Sequence, residues 1–138
     1  MSHVLYYSLT GNTKKLAAAI AQEFGVAPTP VKSLAAVPGE GLLFIGSGSY
    51  GDRPGEEIMK FIANHSFSGR KVALFGTSGS GQGKEVQGMA EALKQKGAIV
   101  IGSYHCKGRA FAVVNIGRPG RDDLTAVRLF AREMAKLG

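Results

Sequence analysis

Within its first 24 residues the chain passes from an apolar run at positions 4–7, through a tight turn rich in hydroxyls, into a segment of helical periodicity. In that segment, residues 14–24, the apolar positions Leu16, Ala17, Ile20, Ala21 and Phe24 recur at the spacing of one helix face. A strand that turns directly into a helix brings together the hydroxyls of Ser8, Thr10 and Thr13, the amide of Asn12 and the backbone N–H groups freed by Gly11. They converge where the helix dipole is positive. A dianionic phosphate is the group that best uses such a set of donors.

Strand and helix signals alternate along the rest of the chain. Gly25 ends the first helix in the manner of a C-cap. Residues 26–31, broken by Pro28 and Pro30, read as a weak edge strand, because proline cannot donate to an inner ladder, and residues 34–41 as a linker. The continuous apolar run at 42–45, ending at Gly46, suits a strand buried on both faces. A long turn leads to a helix over residues 56–64 with Ile58, Phe61 and Ile62 inward. Residues 71–75 form the next strand and residues 76–83 a second glycine-rich turn. The helix that follows carries Val86, Met89, Ala90 and Leu93 on one face and is closed by Gly97. Residues 98–104 are the last clear strand. Residues 105–121 read as a loop over the site with a short strand at 111–116 inside it. A final helix starts at Asp122 or Asp123, whose carboxylates suit its N-terminus, and turns Leu124, Val127, Ala131 and Met134 to the core. This alternation implies an α/β fold, a doubly wound five-stranded parallel sheet with helices on both faces.

The turn at residues 8–13 resembles the phosphate loop of the flavodoxins: Thr or Ser, any residue, then Thr-Gly-x-Thr, with Asn12 in the variable position. As architecture the resemblance covers residues 1–138. It implies a single flavodoxin-like FMN-binding domain, strand order 2-1-3-4-5, FMN held non-covalently, and electrons moved singly. In that order the crevice lies at the carboxyl ends of strands 1 and 3. The turns after strands 1, 3 and 4 then share one rim.

Ser49, Tyr50, Gly51 and Asp52 resemble the family's first ring-binding loop. Tyr50 is expected to stack on the isoalloxazine, a contact worth about 0.5–1.5 kcal/mol beyond its buried area. Gly51 is expected to turn its peptide toward the flavin N5. The third turn, with Thr77, Ser78, Gly79, Ser80 and Gly81, corresponds to the family's other ring-binding loop in location but offers only small residues where flavodoxins often supply a second aromatic. Its N–H groups are expected to meet the flavin O2 and N1 edge, where negative charge gathers on reduction. Small residues and positive surroundings should make the low potential less negative than a typical flavodoxin's.

Composition narrows the function classes. With 138 residues, 44% hydrophobic and 20% charged, the chain suits one ordinary globular domain. No apolar run approaches the roughly 20 residues of a membrane helix, and the N-terminus shows no signal core, so no membrane and a cytoplasmic location are expected. The single cysteine, Cys106, excludes an internal disulfide and, with His3, His65 and His105 scattered, speaks against a structural metal. The net charge of +7 departs from the acidic balance of flavodoxins and suits an acidic redox partner protein or a phosphate-bearing substrate. Lys107, Arg109, Arg118 and Arg121 form the densest basic segment near the site, placed to dock such a partner, to hold the phosphate of NADPH, or only to solvate the loop. Nucleic acid is not expected: Trp is absent and the aromatics do not interleave with basic residues. Residues 46–51 match G-x-G-x-x-G, but the last glycine opens no helix and no acidic residue ends the next strand. Cys106 beside His105 reads as a packed thiol, since sequence neighbours usually point apart.

The sequence thus points to an FMN-binding one-electron carrier, expected to be monomeric and to work with redox partner proteins. Two alternatives remain open. One is an FMN-dependent NAD(P)H oxidoreductase of the flavin or quinone reductase type. The other is a flavin-free protein-interaction module, against which the intact turn at residues 8–13 speaks.

Overall fold

The structure, a computed structural model, describes residues 1–108 and 115–138. Five parallel strands, β1 (Ser2–Tyr7), β2 (Thr29–Pro30), β3 (Leu42–Gly48), β4 (Lys71–Ser78) and β5 (Ile99–Lys107), form one sheet in the order β2-β1-β3-β4-β5. The helices α1 (Asn12–Phe24), α2 (Glu56–Ala63), α3 (Lys84–Gln95) and α4 (Arg121–Leu137) alternate with them. Fold class and strand order are those expected from the sequence.

Alternate residues of the central strands feed two cores. Val4, Tyr6, Phe44, Ala73 and Phe75 pack with Leu16 and Ile20 of α1 and Val127 and Ala131 of α4. Leu5, Leu43, Ile45, Val72 and Leu74 pack with Ile58 and Ile62 of α2 and Met89 and Leu93 of α3. A strand covered on both faces must be apolar at every position, which explains the unbroken runs in β3 and β4. Gly25 caps α1 at φ 64°, and the Val26 N–H closes the turn on the Ala21 carbonyl at 3.1 Å. The edge strand β2 is only two residues long and ends in Pro30.

Three strands run further than periodicity suggests. Residues 47–48 and 76–78 belong to β3 and β4, and β5 continues to Lys107. Each extension finds ladder partners: Gly76 pairs with Ser47 and His105, and Thr77 with Gly48 and Cys106. Backbone pairing between neighbours overrides the small and polar composition of these ends. Thr77 and Ser78 are therefore strand residues rather than turn residues. The expected strand at 111–116 lies largely outside the described residues, as does Arg109; Asn115 and Ile116 lie in a turn. No helix among the described residues is long and apolar enough to cross a membrane.

Candidate functional site

The strand order reverses between β1 and β3, whose ends are in register at Tyr7 and Ser47. A crevice opens at such a switch point, outside the carboxyl ends of the strands. Three loops gather there: residues 8–11 after β1, 49–55 after β3 and 79–83 after β4.

In the first loop Gly11 takes a left-handed conformation, φ 92°, as the residue leading into α1. Its N–H turns inward, donating to Ser8 Oγ at 3.1 Å, so it shapes the loop instead of facing a ligand. Donors that can meet an anion here include the N–H groups of Thr13 and Lys14 at the start of α1, where intrahelical acceptors are lacking, the Ser8 hydroxyl hydrogen and the exposed Thr10. That turn holds no acidic residue and carries the exposed Lys14 and Lys15. Thr13 is buried, and its hydroxyl shares a 2.9 Å hydrogen bond with the Thr77 hydroxyl. These two residues tie the first loop to β4. Asn12 packs beside Gly108, where any Cβ would meet its Nδ2 at 2.7 Å.

The second loop is a tight reversal. Tyr50 and Arg53 exchange backbone hydrogen bonds of 2.8 and 3.3 Å, and Gly51 and Asp52 between them both have positive φ, 62° and 63°. This is the dihedral signature of the type I′ turn that fits twisted strands. Ser49 donates its N–H to the Thr77 carbonyl at 2.9 Å and bridges to Pro54. The half-buried Tyr50 leans over the first loop: its hydroxyl accepts the Leu9 N–H at 3.0 Å, and its ring meets Tyr7 edge-on at 5.8 Å. Burial raises the Tyr50 pKa, so the phenol stays neutral. Lys32 lies 5.8 Å from the centre of the Tyr7 ring.

In the third loop Gly79 and Ser80 are exposed, while the Gly81 N–H folds back on Ser78 Oγ at 2.8 Å. Asn115, which periodicity passed over, clamps this loop. Its amide donates to the carbonyls of Gly79, at 2.8 Å, and Gly108, at 3.1 Å, and its φ of 54° is one that asparagine tolerates. The only sequence hint was an asparagine close to Gly117 in a turn-rich segment. Arg118 is bidentate on Asp123, with Nη2 to Oδ1 at 2.8 Å, and Asp123 also accepts the Gly120 N–H at 2.8 Å. Burial would raise the Asp123 pKa, but the Arg118 and Gly120 hydrogen bonds win and hold it low. Arg118 is thus a helix-start support more than an open cation.

Cys106 and His105 point to opposite faces of β5. The thiol joins the core beneath α1 and α4, and burial, then the Asp123 charge, push it up to about 12. The exposed His105 packs its ring against Gly83. Sequence reasoning missed Glu85, the second residue of α3. It is fully buried, its carboxyl lies over Gly76, and neither oxygen has a hydrogen-bond partner among the described residues. Burial pushes it up to about 7, against the smaller opposite pull of the Glu85 and Val86 N–H groups.

A cleft of about 930 Å³ opens at the other end of the sheet, beside Met1, Phe24, Leu42 and Lys71. Its guanidinium, Arg70, is engaged by the carbonyls of Pro38, Gly39 and Gly41. The three-loop rim is where exposed donors and a helix N-terminus coincide.

Residues 3–115 match the family model described as Flavodoxin domain. A flavodoxin of Clostridium beijerinckii is 33% identical over 109 residues, covering 71% of this chain and 79% of its own. Among solved structures, oxidised Flavodoxin 2 from Bacillus cereus superposes with a TM-score of 0.76 at 21% identity, covering 99% of both chains. The rubredoxin oxygen:oxidoreductase of Desulfovibrio gigas does so with a TM-score of 0.77 at 16% identity, covering 99% of this chain and 35% of that one.

Proposed function

The chain belongs to the flavodoxin family, and from that premise we propose that it binds FMN and carries electrons one at a time between redox partner proteins. The start of α1 carries this reading. A first turn without acids, two lysines and the exposed Thr10, on a loop shaped by the left-handed Gly11, make a donor set for a dianion, as the phosphate of FMN is. The residues present fit that group.

In this reading Ser8 shapes the loop, and Thr10 and the first N–H groups of α1 hold the phosphate. Asn12 and Thr13 fix the start of the helix, Thr13 through Thr77. Ser49, Tyr50 and Gly51 would line one side of the flavin ring, with Ser78, Gly79, Ser80 and Gly81 on the other. Bound flavin supplies the redox chemistry, and the chain holds it, orients it and limits water around it. The whole chain, residues 1–138, acts as one FMN-binding unit, monomeric and cytoplasmic. Its net charge of +7 favours an acidic partner.

The bidentate pairing of Arg118 with Asp123 favours a carrier over an NAD(P)H reductase, because it engages one of the cations named for a nucleotide phosphate. The test is a visible spectrum of the purified protein, followed by titration of stripped protein with FMN and with riboflavin. Flavin bands and a strong preference for FMN are expected. Equal affinity for riboflavin would reject the phosphate site, and no binding of either would reject the function. Flavin reduction by NADPH alone would move the reading to a reductase.

A further inference from the structure

The carboxyl of Glu85 occupies a slot made for it. Gly76 leaves the space: a Cβ there would stand 2.3 Å from Oε2 and 2.8 Å from Cδ. The side chain is 0% exposed, and neither oxygen has a partner among the described residues. A buried ionised carboxylate eased only by the smaller pull of the Glu85 and Val86 N–H groups is more costly than a neutral one. Glu85 follows the 79–83 loop by two residues, so it cannot reach water without moving the first turn of α3 and the loop joined to it.

The facing groups supply no counter-charge inside the slot. On β4 the same face carries Leu74 and Ser78, and from β3 comes Ser47, whose hydroxyl is bonded to the Gly48 carbonyl and the Gly55 N–H. From β5 come His105, with its ring against Gly83, and Lys107, stretched over Gly81; both are exposed. Cys106 lies on the other face of β5 and is raised slightly by the Glu85 charge. On the α2 side Pro54 abuts Gly88 and Ile58 is buried, while neither Glu56 nor Glu57 is buried. Lys84, on α3 itself, is exposed and pairs with Asp52 of the second loop at 3.5 Å.

We propose that Glu85 is a positioning residue for the ring-binding side of the site: its protonated carboxyl seats the first turn of α3 on Gly76, and loss of the proton unseats the 79–83 loop. This rests on the reading that the loop holds flavin. FMN affinity then falls with rising pH, by about tenfold per pH unit once the proton is lost, because only the protonated form is competent.

The experiment has two arms. In flavin-free protein, the Glu85 carboxyl carbon and the amides of residues 79–83 are followed by NMR from about pH 5 to about pH 9. The carboxyl is expected to titrate near neutrality and the loop amides to follow it. In the second arm FMN dissociation constants are measured over the same range for the wild type, Glu85→Gln, Glu85→Met and His105→Gln. Above about pH 6, where the FMN phosphate is already dianionic, both Glu85 variants, permanently neutral, should give a flat profile, and His105→Gln should keep the wild-type one. A carboxyl titrating in the ordinary carboxylate range, loop amides that ignore it, Glu85 variants with the wild-type profile, or a flat profile in His105→Gln would overturn the proposal. Absence of FMN binding at every pH, with loop amides that still follow the carboxyl, leaves the seating of the loop established and rejects only the flavin reading.

Discussion

The hydroxyls of Thr13 and Thr77 meet at 2.9 Å in a buried seam, joining the start of α1 to the end of β4 across 64 residues of sequence. Thr13→Val leaves the Thr77 hydroxyl buried without that partner, and Thr77→Val does the converse. Each is expected to cost about 1–3 kcal/mol in urea unfolding. The double variant should cost clearly less than the sum, because both polar groups leave together. An additive pair of losses would mean the two hydroxyls do not interact.

Thr10 is exposed beside the N-terminus of α1, and among the described residues it has no buried hydrogen bond of the kind Thr13 makes. Thr10→Ala should leave stability within about 0.5 kcal/mol of wild type. It should weaken FMN roughly tenfold or more, the scale of one hydrogen bond to a charged group. Riboflavin affinity should not change. Fluorescence titration with both ligands checks this, and equal losses for both would place Thr10 away from the phosphate.

Tyr50 combines a hydroxyl on the Leu9 N–H with a ring against Tyr7. Since the Leu9 end is exposed, water can replace the hydroxyl in Tyr50→Phe, which should keep FMN affinity within a few-fold. Tyr50→Leu removes the electron-rich ring face and should make the low potential less negative. In the wild type that potential is already expected to lie above a typical flavodoxin's, because residues 78–81 offer no second aromatic. Potentiometric titration of both variants and the wild type decides these points.

Glu85 makes folding stability depend on pH. Its folded-state pKa is raised to about 7 from 4.5, so the unfolded chain ionises first. Stability is therefore full below about pH 4.5 and is lost as pH rises to about 7. Each pH unit in that window, where only the unfolded chain is ionised, removes about 1.4 kcal/mol, or roughly 3 kcal/mol in all. Urea unfolding across this range should show the decline in the wild type, and Glu85→Gln should remove most of it.

Asn115 clamps the 79–83 loop and also holds a positive φ. Asn115→Gly keeps the backbone conformation and deletes the amide, whereas Asn115→Ala adds backbone strain of order 1 kcal/mol. Both should weaken FMN binding by loosening the loop. Alanine should lower the melting temperature more than glycine. Equal affinity in all three proteins would show that the clamp does not serve the ring side.

The alternation of strand and helix signals, the both-face burial of β3 and β4 and the turn at residues 8–13 were legible because they are local. Hydrophobic period, proline and glycine act within a few residues of themselves. Strand ends were less legible, since residues 47–48 and 76–78 extend only because neighbouring strands supply their hydrogen-bond partners. Gly11 is legible as the pivot of the first loop, whereas the inward turn of its N–H to Ser8 is not.

By itself the sequence determined the class of fold, the order of its elements and the tight turn at residues 8–13, because each follows from near-neighbour periodicity and backbone chemistry. Tertiary structure alone decided that Thr13 would face Thr77, that Asn115 would clamp Gly79, and that the Glu85 carboxyl would lie dry over Gly76. The first two contacts join positions far apart in the chain, and the third depends on how α3 packs on β4. Burial and partnering, which set the protonation and reach of a polar side chain, exist only once the sheet has brought them together.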